Sequence, residues 1–250
     1  MTPDERLRLW TPSKQRIAEC SKCIDRWPSR VEQSLRADEI PDPRRDISIL
    51  FVGVAPPPLG NEDDEDVGHF YTNPADRLRV GLFHVLDRVF GIDLNRQNRV
   101  SCEAGTASFL EAGFFFVHAA KVHPRGGRLA PDRKIMRFCA KQHLAEEILL
   151  LRPKAACFLG ATNAAPAAES IFRHPIGETP EPGEINGDDG VEDWGGWVVV
   201  TVQPVRGTKE GGNRERAAKV IRQLKDHLGP VAPTIAQGQS DRLSRWATSR

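Results

Sequence analysis

The chain has 250 residues, 39% of them hydrophobic and 28% charged, which is the make-up of a globular protein long enough to bury one full core. A formal net charge of +1 neither demands nor excludes nucleic acid and leaves that question to local patches. No apolar run approaches the roughly 20 residues that span a bilayer. The start, MTPDERLRLW, lacks the apolar stretch of a signal peptide, which predicts a cytoplasmic location. The five cysteines then read as reduced thiols, not as a disulfide framework.

In chain order, residues 1–45 are expected to wrap the domain, with SKCIDRWPSR (21–30) as their ordered part. ISILFV (47–52) is a short apolar run bounded by charge and Gly, a central strand. It ends in the stiff turn Gly53–Pro58, followed by the acidic run Glu62 to Asp66 and then by Phe70, Tyr71 and Asn73. Leu78, Leu82, Val85, Leu86 and Val89 recur at helical spacing and predict a helix over about 75–90. GFFFVHAA (113–120) is a second buried strand. A loop with Pro124, Gly126 and Gly127 leads to Asp132, which is placed to cap a helix over about 132–151. KAACFLG (154–160) and WVVVTV (197–202) are the third and fourth strands, separated by an Ala-rich short helix and by a Pro/Gly/acid-rich surface excursion at 174–193. A helix at about 213–228 closes the domain, and 229–250 read as a flexible tail.

Strands that are apolar throughout, alternating with helices, imply a mostly parallel sheet covered on both faces. The expected fold is a three-layer α/β/α domain over 46–228 with four strands. Ligand sites in such sheets lie beyond the carboxyl ends of the strands. That rule selects Gly53–Pro58, His118–Gly127, Gly160–Asn163 and Gln203–Gly207, where the residues of chemical interest sit.

The ordered motifs resemble the uracil-DNA glycosylase superfamily, in particular the bacterial branch that often carries an iron–sulfur cluster. CSKC (20–23) is similar to that branch's paired cysteines. ILFVGVAPP is similar to its first motif, and VHAAKVHP to the strand ending in Lys-Cys-Arg-Pro. CAKQHLAEEILLLRPKAACFLGATNA is similar to its Cys–helix–strand–Leu-Gly stretch. The chain departs from the pattern at Val54 (commonly Glu), Val122 (the third cluster cysteine), His118 (Asn) and Gln203 (the His of the closing His-Pro-Ser motif).

The resemblance implies a protein that turns a damaged nucleotide out of DNA into a pocket and cleaves its N-glycosidic bond. Gly53, Val54, Ala55 and Pro56 would form the pocket wall. Tyr71 would stack on the base, with Phe70 as the alternative, although a core aromatic is an equal reading of either. Cleavage leaves negative charge on the departing base, so donors aimed at its oxygens are the main lever. His118 and Gln203 are the candidates, although His118 at a strand's end also reads as a satisfied core histidine. Because neutral glutamine stabilises an anion less than a charged donor, the enzyme is expected to be slower than relatives with histidine or to select another base. Asp76, Asn73 or the 62–66 acids would position the attacking water, against which Asp76 also reads as a plain helix-initiating acid. Lys121, His123, Arg125, Arg128, Arg206 and Lys209 would meet DNA phosphates, although a solvated surface is the simpler reading of each basic patch. A reactive role for His123 is a lesser alternative.

Cys20, Cys23 and Cys139 match three of the four cluster positions, and Val122 cannot ligate. A remnant site is therefore expected, with no required cofactor, and an intact iron–sulfur cluster completed by Cys102 or His123 is the lesser alternative. The expected partner is DNA containing a damaged base, met by a monomer that does not engage a membrane. Uracil is the first substrate considered. The alternative is a non-catalytic or weakly active protein of the same fold that recognises DNA or damaged bases.

Overall fold

The computed structural model describes residues 2–33, 36–57, 69–126, 130–172, 174–187, 190–205 and 211–229. At its centre is a five-stranded sheet, built from β2 (Ile49–Gly53), β3 (Phe114–His118), β5 (Ala155–Leu159), β6 (Glu181–Gly187) and β7 (Gly190–Thr201). Their spatial order is β3-β2-β5-β7-β6. The first four run parallel, and β6 returns antiparallel to β7. β1 (Val31–Gln33) and β4 (Val122–Pro124) form a separate antiparallel ribbon.

The three-layer expectation therefore holds, with one correction to its strand count. The 174–193 excursion supplies a fifth strand, because Glu181–Gly187 folds back as a hairpin on the long β7. Alternating acids and small residues hid it, since only one face of an edge strand needs apolar side chains. Every residue of β2, β3 and β5 is buried, which is why these read as continuous apolar runs.

The helices are α1 (Pro3–Ala18), α2 (Lys22–Arg26), α3 (Arg77–Phe90), α4 (Leu94–Val100), α5 (Cys102–Glu111), α6 (Arg133–Cys139), α7 (Ala145–Leu151), α8 (Ala165–Ile171) and α9 (Asn213–Leu228). Thr2 and Glu5 form a capping box at the start of α1. Trp10 of α1 is fully buried edge-on against Phe115, so the first 45 residues contribute to the core itself. Asp76 caps α3, and Gly91 ends it in the left-handed conformation. One π-helical segment, Ala140–Leu144, joins α6 to α7. Asp132 occupies the first cap position of α6, but its carboxylate pairs with Arg30 and does not cap the helix.

Sheet topology decides where a site can be. The carboxyl ends of β3, β2, β5 and β7 lie side by side, at His118, Gly53, Leu159 and Thr201. With strands about 4.8 Å apart, His118 on β3 and the residues after β7 are separated by about 14 Å. That span suits one flat ring between two side chains.

Candidate functional site

The edge begins with β2 and β3. Their pairing continues past the strand ends, through Ala119 N–H to Gly53 O at 2.8 Å and Ala120 N–H to Val54 O at 2.9 Å. The 53–57 turn is held farther along by His123, whose Nδ1 lies 3.0 Å from Pro56 O. Gly53 has a specific packing reason. A Cβ there would fall 2.5 Å from Phe116 Cζ and 3.3 Å from His118 Nδ1, so a side chain would strike the Phe116 ring and press on the imidazole.

On the far side, Gly160 donates to Thr201 O at 2.6 Å and has φ of +124°, a conformation that favours glycine. A Cβ on it would fall 3.3 Å from Val54 Cγ2 and 3.5 Å from Gln203 Cγ. Val54, Gly160 and Gln203 therefore meet where three strands end. The next residue after Gln203 touches α3. A Cβ on Gly81 would fall 1.9 Å from the Pro204 carbonyl oxygen.

A narrow cleft at the β3 end is lined by Ile40, His69, Tyr71, Phe116, His118 and Lys121, with Glu147 at its floor. It brings together Tyr71 and His118. Ala55 and Gln203 lie along the same sheet edge but do not line it. Its free volume among the described residues is about 20 Å³, enough for one water.

His118 is 8% exposed, and among the described residues neither ring nitrogen has a hydrogen-bond partner. Phe116 meets its ring edge-on at 4.8 Å. Burial, reinforced by His69 and Lys121, holds its pKa well below the ordinary histidine value, so the ring is neutral at pH 7. His69 is also buried, with Nε2 at 2.9 Å from Glu39 Oε2, close enough for an ion pair but too poorly aligned for a hydrogen bond.

Tyr71 is anchored through its hydroxyl, which accepts from Phe116 N–H at 2.7 Å and donates to Phe116 O at 3.0 Å. Burial pushes its pKa far up. The loop behind it is fixed by α3, α4 and α5. Arg79, fully buried, donates to Phe70 O at 2.8 Å, Cys102 O at 2.8 Å, Asn98 Oδ1 at 2.7 Å and Thr106 Oγ1 at 2.9 Å. Cys102 Sγ donates to Tyr71 O at 3.2 Å.

Two expectations are corrected here. Phe70 has no face open to a ligand: it is 2% exposed and stacks on Phe116 at 4.1 Å between centroids. Lys121 does not meet phosphates. Its ammonium is buried and donates to Glu147 Oε2 at 2.6 Å and His118 O at 2.5 Å, because an ammonium on a β3–β4 connection beneath α7 must find a counter-ion inside. Desolvation raises the Glu147 pKa, and Lys121 opposes that shift.

The remaining candidates sit as follows. Asp76 accepts from Arg79 N–H at 2.7 Å as the α3 cap, with its pKa raised by burial. Asn73 Oδ1 accepts from Ala75 N–H at 2.8 Å in a side-chain turn. Arg125 is exposed, donating Nε to Val31 O at 3.1 Å with Glu32 at 3.7 Å. Arg128, Arg206, Lys209 and the acids 62–66 lie outside the described residues.

The thiols do not fit a four-thiolate cluster. A hydrogen bond between Cys23 and Cys139 lowers the pKa of Cys23 and, with burial, raises that of Cys139. Cys139 Sγ also accepts from Lys121 N–H at 3.0 Å. Val122, next in the chain, is buried and apolar. Among the described residues no three His, Cys, Asp or Glu side chains are grouped to hold a metal.

Sequence reasoning missed Glu147, His69 and Glu39. The signal for Glu147 is present in the sequence. It falls on the apolar stripe of Leu144, Ile148 and Leu151, where an unpaired acid has no place.

Among described residues no helix is long and apolar enough to cross a membrane. A family model described as the uracil DNA glycosylase superfamily matches residues 41–225. A search of curated proteins gave no match.

Proposed function

The chain belongs to the uracil DNA glycosylase superfamily, and from that premise we propose that it is a DNA repair glycosylase that turns a deaminated base, uracil first, out of the strand and hydrolyses its N-glycosidic bond. One observation carries the reading. His118 is buried at the carboxyl edge of the sheet with both ring nitrogens unpaired, and a polar group so placed costs free energy unless a ligand completes it.

A flipped base has a flat apolar body and a polar edge. Tyr71, locked to the β3 backbone, supplies a preorganised aromatic wall, and His118 supplies the polar contact. Gln203, across from it, donates its amide to the negative charge that develops on the departing base. The turn at 53–57 closes the space from β2. The site has room for one water as it stands, so admitting a base requires the cleft to widen at its mouth. Base flipping already couples such opening to binding. The reading needs no cofactor, since protein donors and one water suffice for the hydrolysis.

A second reading, recognition of a damaged base without cleavage, is favoured by Asp76. Its carboxylate is committed to the α3 cap, and Ala55 has no group to orient a water. Incubation with a uracil-containing oligonucleotide followed by alkali distinguishes the two. Strand scission at the uracil is the expected result. Tight, uracil-dependent binding without scission would establish the second reading, and neither scission nor binding would reject both.

A further inference from the structure

The two bare nitrogens of His118 have a consequence for which bases the site takes. A neutral imidazole carries one N–H donor and one lone-pair acceptor, and its tautomer is fixed only by what its nitrogens bond to. Among the described residues nothing bonds to either. The polar neighbours Lys121 and His69 are directed elsewhere. Lys121 is held by Glu147 and by the His118 carbonyl, not its ring. His69 faces Glu39. Gly53 removes the one side chain that would crowd Nδ1.

We propose that His118 is a two-way reader whose tautomer is set by the bound base, so that this contact accepts either a carbonyl or an amino group on the base edge. Strong rejection of a wrong base requires a site group left unpaired by it. A ring free to move its proton is left unpaired by neither edge. His118 thus contributes affinity without keto-versus-amino selectivity, and any such selectivity has to come from other contacts to the base. The inference rests on the base-flipping reading above and makes its recognition broad at the β3 side.

The test uses oligonucleotides carrying 2′-fluoro-deoxyuridine or 2′-fluoro-deoxycytidine, whose glycosidic bonds resist cleavage, so that equilibrium binding is measured. Side-chain ¹⁵N spectra of His118 are recorded on the free protein and on each complex. In the free protein both tautomers are expected in exchange, and the two complexes should show opposite protonated nitrogens. His118→Leu, an apolar replacement in a buried site, should weaken both complexes while leaving their affinity ratio within about threefold of wild type, a change of about 0.7 kcal/mol or less. A single tautomer common to the free protein and both complexes would overturn the proposal. So would an affinity ratio that shifts tenfold or more in the Leu variant. Binding of the 2′-fluoro-deoxyuridine strand no tighter than undamaged DNA would instead remove the base-flipping reading and, with it, the ligand that His118 is proposed to read.

Discussion

Lys121 and Glu147 face each other at 2.6 Å with side chains 4% and 2% exposed, and the same ammonium holds the backbone carbonyl of His118. Breaking such a pair from one side leaves a buried charge without a partner, which costs about 3–5 kcal/mol. Lys121→Met should lose about that much in urea denaturation. Lys121→Met combined with Glu147→Leu should recover most of it, and a double variant no more stable than the single one would refute the pairing account.

Tyr71 replaces a missing strand. β3 is at the sheet edge, and the tyrosine hydroxyl engages both polar groups of Phe116. Tyr71→Phe leaves those groups unpaired at a cost of about 1–3 kcal/mol. Faster amide exchange at Phe116 together with a lowered urea midpoint is the expected pair of results.

His143 gives the fold a pH dependence. Burial first, then Lys121, Lys22 and Arg16, pull its pKa down from 6.5 to about 4. The unfolded chain therefore binds the proton that the fold excludes, and stability falls as pH drops from 6.5 toward 4. His118 is shifted the same way. Over that window His143→Gln should remove about one proton from the slope, or about 1.4 kcal/mol per pH unit. An unaltered slope in urea melts at pH 4.5–7 would rule His143 out.

On the glycosylase reading, Gln203 would offer a neutral donor to the charge that develops on the departing base. Gln203→His should raise the rate of uracil excision by about tenfold, the equivalent of about 1.4 kcal/mol of added transition-state stabilisation. An unchanged rate in single-turnover incision would count against a place for Gln203 beside the base.

Arg125 and Lys121 should part company on DNA. Arg125 is exposed, and its replacement by alanine should flatten the plot of log affinity against log salt by about 0.9 if it meets one phosphate. Lys121→Gln, with its charge inside the fold, should leave that slope where it was. Equal slopes for Arg125→Ala and wild type would take Arg125 out of the interface.

Much of the frame was legible because β2, β3 and β5 are buried on both faces, and α3 and α9 carry clear helical periodicity. The sheet edge followed from those strands and singled out His118 and Gln203. The failures share one cause, that residue type does not say which side of a backbone faces water. Phe70 and Tyr71 are neighbours, yet one fills the core and the other lines the cleft. Lys121 sits in a run that reads as a basic surface, and only its buried partner Glu147 on α7 accounts for its turning inward. β6 escaped notice because its pairing partner, not its composition, makes it a strand.

The close approach of Gly81 to the Pro204 carbonyl joins two parts of the molecule that the sheet alone would leave independent. The first turn of α3 anchors the tyrosine-bearing loop through Asp76 and Arg79, and its second turn props the segment that follows Gln203. One short stretch of α3 thus ties the backbone of the Phe70–Tyr71 loop to the backbone after Gln203, so a displacement of either is transmitted to the other.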